Sequence, residues 1–186
     1  MDVRRFFESI PHNRLLALLE RRFKDPRILR LFKAIVEGFE VEPGVGLPIG
    51  SLTSQHFANF YLSAWDRQLR ECFGARAHAR YMDDCLVWAP DSGSLVRIAE
   101  QSRRYLQRDL GLRIKPYGVQ RVDQGVPFLG FVLNRDGARL NRRSRLRLTR
   151  RTRDYEGCYL RGKISGAVLQ ERVTALYAFR NEGRAL

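Results

Sequence analysis

Lysine is almost missing from this chain. Of 186 residues, 34 are Lys or Arg, and only Lys24, Lys33, Lys115 and Lys163 are lysine. Acid is also in short supply, at 20 Asp and Glu, which leaves a formal net charge of +14. Sulfur is scarce. The three cysteines, Cys72, Cys85 and Cys158, form no CxxC pair, and their odd number argues against a disulfide framework. The three histidines, His12, His56 and His78, share no metal-ligand spacing with them, which argues against a zinc site. Unpaired thiols point to a reducing, cytoplasmic setting. No apolar run approaches the roughly 18 residues that a membrane span needs. No signal peptide opens the chain, so no membrane partner is expected.

What is present supports a packed domain. Apolar residues make up 44% and aromatics 11%, enough for a real core and against wholesale disorder. Arginine carries nearly all of the positive charge. Its planar fork binds phosphate oxygens in pairs and stacks on bases. An arginine-rich proteome also writes Arg where others write Lys, but that habit does not account for the excess of base over acid. The excess favours a polyanionic partner.

Periodicity divides the chain into short elements. Pro11 and His12 open a run with leucines at 15, 16, 18 and 19, which predicts a helix. Asp25-Pro26 interrupts it, and a second helix follows, ending at Gly38. Residues 39–51 hold Pro or Gly at 43, 44, 46, 48 and 50 and read as a loop. From about 52 to 73, Leu52, Phe57, Phe60, Tyr61, Trp65, Leu69 and Phe73 fall on one helical face. AHARYM and CLVWA flank Asp83-Asp84 and predict a hairpin with the acidic pair at its turn. A polar helix covers about 92–110. LRIK (112–115) and VPFLGFVL (126–133) read as strands, with a turn at Asp136-Gly137. The stretch 139–153 is intensely basic and helical, Gly157 and Gly162 break it, and helical spacing resumes over 165–181. The sharpest change of composition falls near 138.

Asp83 and Asp84 carry the chemical argument. Two adjacent carboxylates in a tight turn repel each other inside strand-like apolar sequence. Asp is also a common solvated turn residue, but here the flanks are apolar. A divalent cation would offset the charge, and Mg²⁺ favours carboxylate and phosphate oxygens. Two such ions about 4 Å apart can activate a hydroxyl nucleophile and stabilise a leaving pyrophosphate. A third carboxylate from another strand end would complete the site, and Asp2 is the candidate.

These residues resemble a family. Tyr81-Met82-Asp83-Asp84 matches the YxDD signature of reverse transcriptases. Asp2-Val-Arg-Arg-Phe-Phe-Glu-Ser-Ile10 looks like their first catalytic motif, an Asp followed by two aromatics. Gly46-Leu-Pro-Ile-Gly-Ser-Leu-Thr-Ser-Gln55 looks like the loop and helix start that meet template and incoming nucleotide. Phe128-Leu-Gly-Phe131 resembles the primer grip. The four motifs stand in the family's order. The IGxxxSQ form, with Ile49-Gly50 and Ser54-Gln55, is similar to the enzymes of diversity-generating retroelements, which copy template RNA with frequent errors at adenines. Retron and group II intron enzymes are the nearest alternatives.

The resemblance implies an α+β fold: a polymerase palm with a small antiparallel sheet and packed helices over 1–137, then a partial, basic helical thumb over 138–186. It implies RNA-directed DNA synthesis, dNTP addition to a primer 3′-hydroxyl with two Mg²⁺ ions, for which Mn²⁺ can substitute. Asp2 and Asp83 would bind the metals, with the Val3 carbonyl as a further ligand and Asp84 assisting. Phe6, Phe7, Ile49 and Gly50 would meet the nucleotide, Phe7 excluding a ribose 2′-hydroxyl. Ser54, Gln55, Tyr81, Met82, Phe128, Leu129 and Gly130 would meet template and primer. An accessory protein of the retroelement is a further expected partner.

The chain also departs from the family pattern. Asp2 is the second residue, where the family has a preceding strand and a fingers domain. The resemblance therefore implies an N-terminally truncated enzyme, with Asp2 on a frayed terminus. A remnant that binds nucleic acid without polymerising is the rival from another class. The family's Lys beyond the 112–115 strand would fall near Gly118 by spacing, so Lys115 is not assigned a role as general acid.

Overall fold

Four amphipathic helices and one hairpin supply the core of the first unit. The computed structural model describes residues 1–182, which fall into two compact units, Met1–Val119 and a second beginning at Gln120. The composition shift near 138 therefore lies inside the second unit.

In the first unit α1 (His12–Arg22), α2 (Pro26–Glu37), α3 (Leu52–Glu71) and α4 (Ser92–Asp109) surround a hairpin of β1 (Ala77–Tyr81) and β2 (Asp84–Trp88). The helix starts follow local chemistry. Asp25 accepts the Arg27 amide at 2.8 Å with Pro26 in the first turn, and Asp91 accepts the Ser94 amide at 2.8 Å. Such caps each contribute about 1 kcal/mol. Leu15 and Leu19 of α1, Val36 of α2, and Phe57, Tyr61, Trp65 and Leu69 of α3 are buried in one cluster with Ile98 and Leu106 of α4. Leu52, expected on the same face, is exposed. It is the first residue of α3, one turn before the buried stripe begins.

The terminus expected to fray is tied down. Residues 1–3 lie between β2 and the segment 113–115. Asp2 bridges Asp84 and Val3 bridges Ile114, both antiparallel. Backbone bonds run from Cys85 N to Met1 O at 2.7 Å, Val3 N to Asp83 O at 3.2 Å, Lys115 N to Asp2 O at 2.8 Å and Arg4 N to Arg113 O at 2.7 Å. Val3 is fully buried, so one short segment closes the sheet and enters the core.

Tyr61 links α3 to the end of α4, its hydroxyl donating to the Leu110 carbonyl at 2.6 Å. Burial pushes this phenol well above its ordinary pKa. Tyr61→Phe leaves that buried carbonyl without its donor, which costs about 1–3 kcal/mol. Chemical denaturation of the variant should show a lower midpoint with an unchanged slope.

The second unit opens with a meander, β3 (Val126–Phe128), β4 (Phe131–Asn134) and β5 (Gly137–Leu140). The run 126–133, read from sequence as strand, is a hairpin, because Leu129 and Gly130 both take positive φ, 49° and 86°. A two-residue turn with both centres left-handed matches the twist of the flanking strands. A Cβ on Gly130 would stand 2.7 Å from Ser144 Oγ, so this approach requires glycine. The helices α5 (Arg142–Leu160) and α6 (Gly166–Glu182) follow. Gly157 does not break the basic helix but lies within α5, and the helix runs past the expected end at 153. Asn141 caps α5, accepting the Ser144 amide at 2.8 Å. Arg142, Arg143, Arg145, Arg147, Arg150, Arg151 and Arg153 are all exposed along it. Among the described residues no helix is long and apolar enough to cross a membrane.

Candidate catalytic carboxylate cluster

Strand alternation puts Val3 and Cys85 on the core side of the sheet and Asp2 and Asp84 on the other. The register then makes a row. Tyr81 pairs with Asp84, Asp84 pairs with Asp2, and Asp2 bonds through its carbonyl to the Lys115 amide. Two carboxylates directly opposite each other destabilise an antiparallel pair, so the row stores repulsion that a cation relieves. Lys115 supplies part of that relief, its Nζ donating to Asp2 Oδ2 at 2.6 Å.

Asp83 enters from the turn between β1 and β2. Met82, the residue before it, has φ 53°, a position that two-residue hairpins normally give to glycine. The Asp83 carboxyl is pushed above the usual carboxylate range, first by burial and then by the nearby Asp2 charge, against the pull of its own backbone amide and of Lys115. Asp84 is pushed the same way by burial and Asp2, while the terminal ammonium and Lys115 pull it back. The Lys115 ammonium is held above its ordinary value by its bond to Asp2. The three carboxylates thus form one electrostatic cluster.

Among the described residues no three His, Cys, Asp or Glu side chains stand as a ready metal cage. The donor set nevertheless fits a hard divalent cation. It consists of carboxylate oxygens at partly buried positions, and Asp2 Oδ1 is closed off from solvent without a hydrogen-bond partner. Orphaned buried acceptors of this kind call for an ion or a proton.

The loop before α3 is fastened to the first motif. Leu47 N donates to Phe7 O at 2.8 Å, Gly46 N to Ile10 O at 2.9 Å, and His12 Nε2 lies 2.7 Å from Gly46 O. Phe6 is buried and Phe7 half-buried beside it, ring centroids 5.5 Å apart. Ile49 is 73% exposed. Gly50 takes φ +90° with no atom near its missing Cβ, leaving open backbone there. Ser54 is buried and Gln55 half-buried in the first turn of α3. Tyr81 is exposed and Met82 half-buried. Phe128, Leu129 and Gly130 form the β3–β4 turn of the second unit.

Sequence reasoning passed over two cations. Lys115 was set aside on spacing, although the alternation in LRIK already turned it from the core with Arg113. Only the pairing of residue 3 with 114 shows that it faces Asp2. Arg80 carries no sequence signal beyond its place in the strand-like run AHARYM. Its side chain is only 9% exposed and pairs with Asp66 through both carboxylate oxygens.

Residues 1–133 match the family model described as "Reverse transcriptase (RNA-dependent DNA polymerase)". A protein of Schizosaccharomyces pombe described as "Uncharacterized 91 kDa protein in cob intron" is 41% identical over 71 residues. That stretch covers 35% of this chain and 9% of the relative.

Proposed function

The chain belongs to the reverse transcriptase family, and from that premise we propose that its carboxylate cluster adds deoxynucleotides to a primer 3′-hydroxyl on an RNA template. The observation that carries the reading is the antiparallel bridge between Asp2 and Asp84, which gathers acids from the start and the middle of the chain on one sheet face. Asp2 and Asp83, with the Val3 carbonyl and Asp84, would hold two Mg²⁺ ions, or Mn²⁺ in their place. Bound there, such ions acidify the attacking hydroxyl and offset charge on the leaving pyrophosphate. Lys115 orients Asp2 through its bond to Oδ2. Phe7 lies under the nucleotide sugar and rejects a 2′-hydroxyl. Gly50 lets backbone approach the nucleotide. Gln55 faces the template from the first turn of α3, where Ser54 is buried beneath it, and Tyr81 and Met82 meet the primer end. Phe128, Leu129 and Gly130, in the second unit, contact primer by themselves. The arginines of α5 track duplex phosphates. The setting is a reducing, cytoplasmic one, consistent with three free cysteines.

Primer extension by the full chain on an RNA template, with dNTPs and Mg²⁺, tests this. The expected result is Mg²⁺-dependent DNA product. Salt-sensitive RNA binding without any extension would instead favour a remnant that only binds nucleic acid.

The subtype proposal rests on Ile49-Gly50 and Ser54-Gln55, which support an error-prone enzyme of a diversity-generating retroelement, working with an accessory protein. The intron setting printed for the relative favours a group II intron type as the second reading. Ile49 has no amide with which to check the nascent pair. Being exposed, it accepts substitution within about 0.5 kcal/mol of stability. Ile49→Gln should lower misincorporation opposite template adenine by about tenfold, the weight of one hydrogen bond, in sequenced products. An unchanged error spectrum would favour the intron-type reading.

A further inference from the structure

Arg80 makes five hydrogen bonds, one for each N–H of its guanidinium. Nε and one terminal nitrogen fork onto Asp66 Oδ1 and Oδ2 at 2.8 and 2.6 Å. The same terminal nitrogen also reaches Asn59 O at 3.4 Å. The other terminal nitrogen reaches Asn59 Oδ1 at 3.2 Å and Met82 O at 2.7 Å. Neutralising a buried arginine needs only the acid. The bond to Met82 is of another kind, because Met82 O belongs to the peptide that leads into Asp83, and Met82 is the residue held at φ 53°. A non-glycine residue in that conformation persists only where its surroundings impose it.

We propose that Arg80, braced by Asp66 and Asn59 of α3, is a positioning residue that locks the Met82–Asp83 peptide and so aims the Asp83 carboxylate at the metal site. This rests on the reading of the cluster as a nucleotidyl-transfer centre and names a residue which that reading does not use. The clamp ties the strained turn to the most deeply buried helix of the first unit. Arg80 forks onto Asp66 and meets the turn only through the Met82 carbonyl, not through the metal-facing carboxylates. Lysine cannot take its place, since one ammonium cannot fork onto Asp66 and still reach Met82 O.

The test must separate aiming from folding. Arg80→Gln alone leaves Asp66 without its main partner. Arg80→Gln with Asp66→Asn removes both charges, a change that buried pairs often tolerate, yet still lacks the guanidinium bond to Met82. The experiment measures thermal midpoint, Mn²⁺ affinity by electron paramagnetic resonance, and single-nucleotide extension on an RNA template, all with the full chain. The double variant should fold with a midpoint near wild type. Its Mn²⁺ affinity should fall about tenfold, as for lost supports of metal ligands. Its kcat should fall about 100-fold, as for a misplacement of order 1 Å. The KM for dNTP, measured at saturating Mg²⁺, should move less than about threefold, since no group that meets the nucleotide is changed. Arg80→Lys should not restore kcat. In a Met82→Gly background the same double change should cost less than about tenfold in kcat relative to Met82→Gly alone, because glycine takes the left-handed turn unaided. A double variant that folds and matches wild type in Mn²⁺ affinity and kcat overturns the clamp alone. A kcat loss of the full size in the Met82→Gly background does the same. A wild-type chain that neither binds Mn²⁺ nor extends a primer overturns the reading of the site, and the clamp's purpose with it.

Discussion

Asp83→Asn should leave the fold standing and abolish nucleotide addition. Asparagine has nearly the shape of aspartate, so the turn keeps its packing. What changes is charge. The Asp83 carboxyl is raised by burial and by Asp2, so at neutral pH its ionised form opposes folding. A raised carboxyl binds its proton more tightly when folded, and stability falls as pH rises past the ordinary carboxylate value. The neutral amide escapes that penalty, and the thermal midpoint should hold or rise slightly. Catalysis has no such escape. An amide oxygen is a weak ligand for Mg²⁺ and carries no charge to offset. Extension should fall by about 10³-fold, roughly 4 kcal/mol of transition-state stabilisation. Calorimetry and single-nucleotide extension on the same preparation check both halves. Activity within about tenfold of wild type would remove Asp83 from the chemistry. Loss of activity together with collapse of the fold would show only that the turn needs the acid.

Much of the site was legible because its motifs are local. The hairpin was legible from its alternating arms, which can be read from ten residues, but its turn is Met82-Asp83 rather than the expected Asp83-Asp84, because Tyr81 pairs with Asp84 and draws that acid into β2. The helices were legible for the same reason, since leucines 15 and 19 and the stripe from Phe57 to Leu69 repeat at helical spacing. Misreadings arose where geometry is non-local or set by one residue. Whether Asp2 frays depends on partners at 84 and 114, and no local pattern states a register. VPFLGFVL reads as one apolar strand because nothing in its hydropathy marks Leu129 as left-handed. The turn there is imposed by Gly130 and by its closeness to Ser144. Lys115 and Arg80 escaped for a related reason. A cation's role depends on which carboxylate it meets, and the sequence separation is long in one case, from 115 to 2, and crosses elements in the other, from β1 to α3.

Trp65→Ala should be the most damaging single change to stability in the first unit. The indole is fully buried in α3, the helix whose first turn carries Ser54 and Gln55 and which also holds Asn59 and Asp66. Truncating a buried Trp loses its transfer free energy and leaves a cavity that close-packed neighbours refill only in part, which costs about 3–5 kcal/mol. For a unit of this size about 1 kcal/mol corresponds to roughly 4 °C, so the midpoint should drop by about 12–20 °C. Volume is the reason and polarity is not, because Trp65 Nε1 is buried without a hydrogen-bond partner. Trp65→Phe tests that distinction. It keeps most of the apolar contact and removes the orphaned donor, so its cost should stay under about 2 kcal/mol. Equal losses for Phe and Ala would mean that Nε1 has a partner such as a buried water, and that the indole is held by its polar edge as well as by its faces. A small loss for Ala would mean that α3 packs loosely there. The support that α3 gives to Arg80 would then fail as well, since a loosely packed helix cannot hold a strained turn in place.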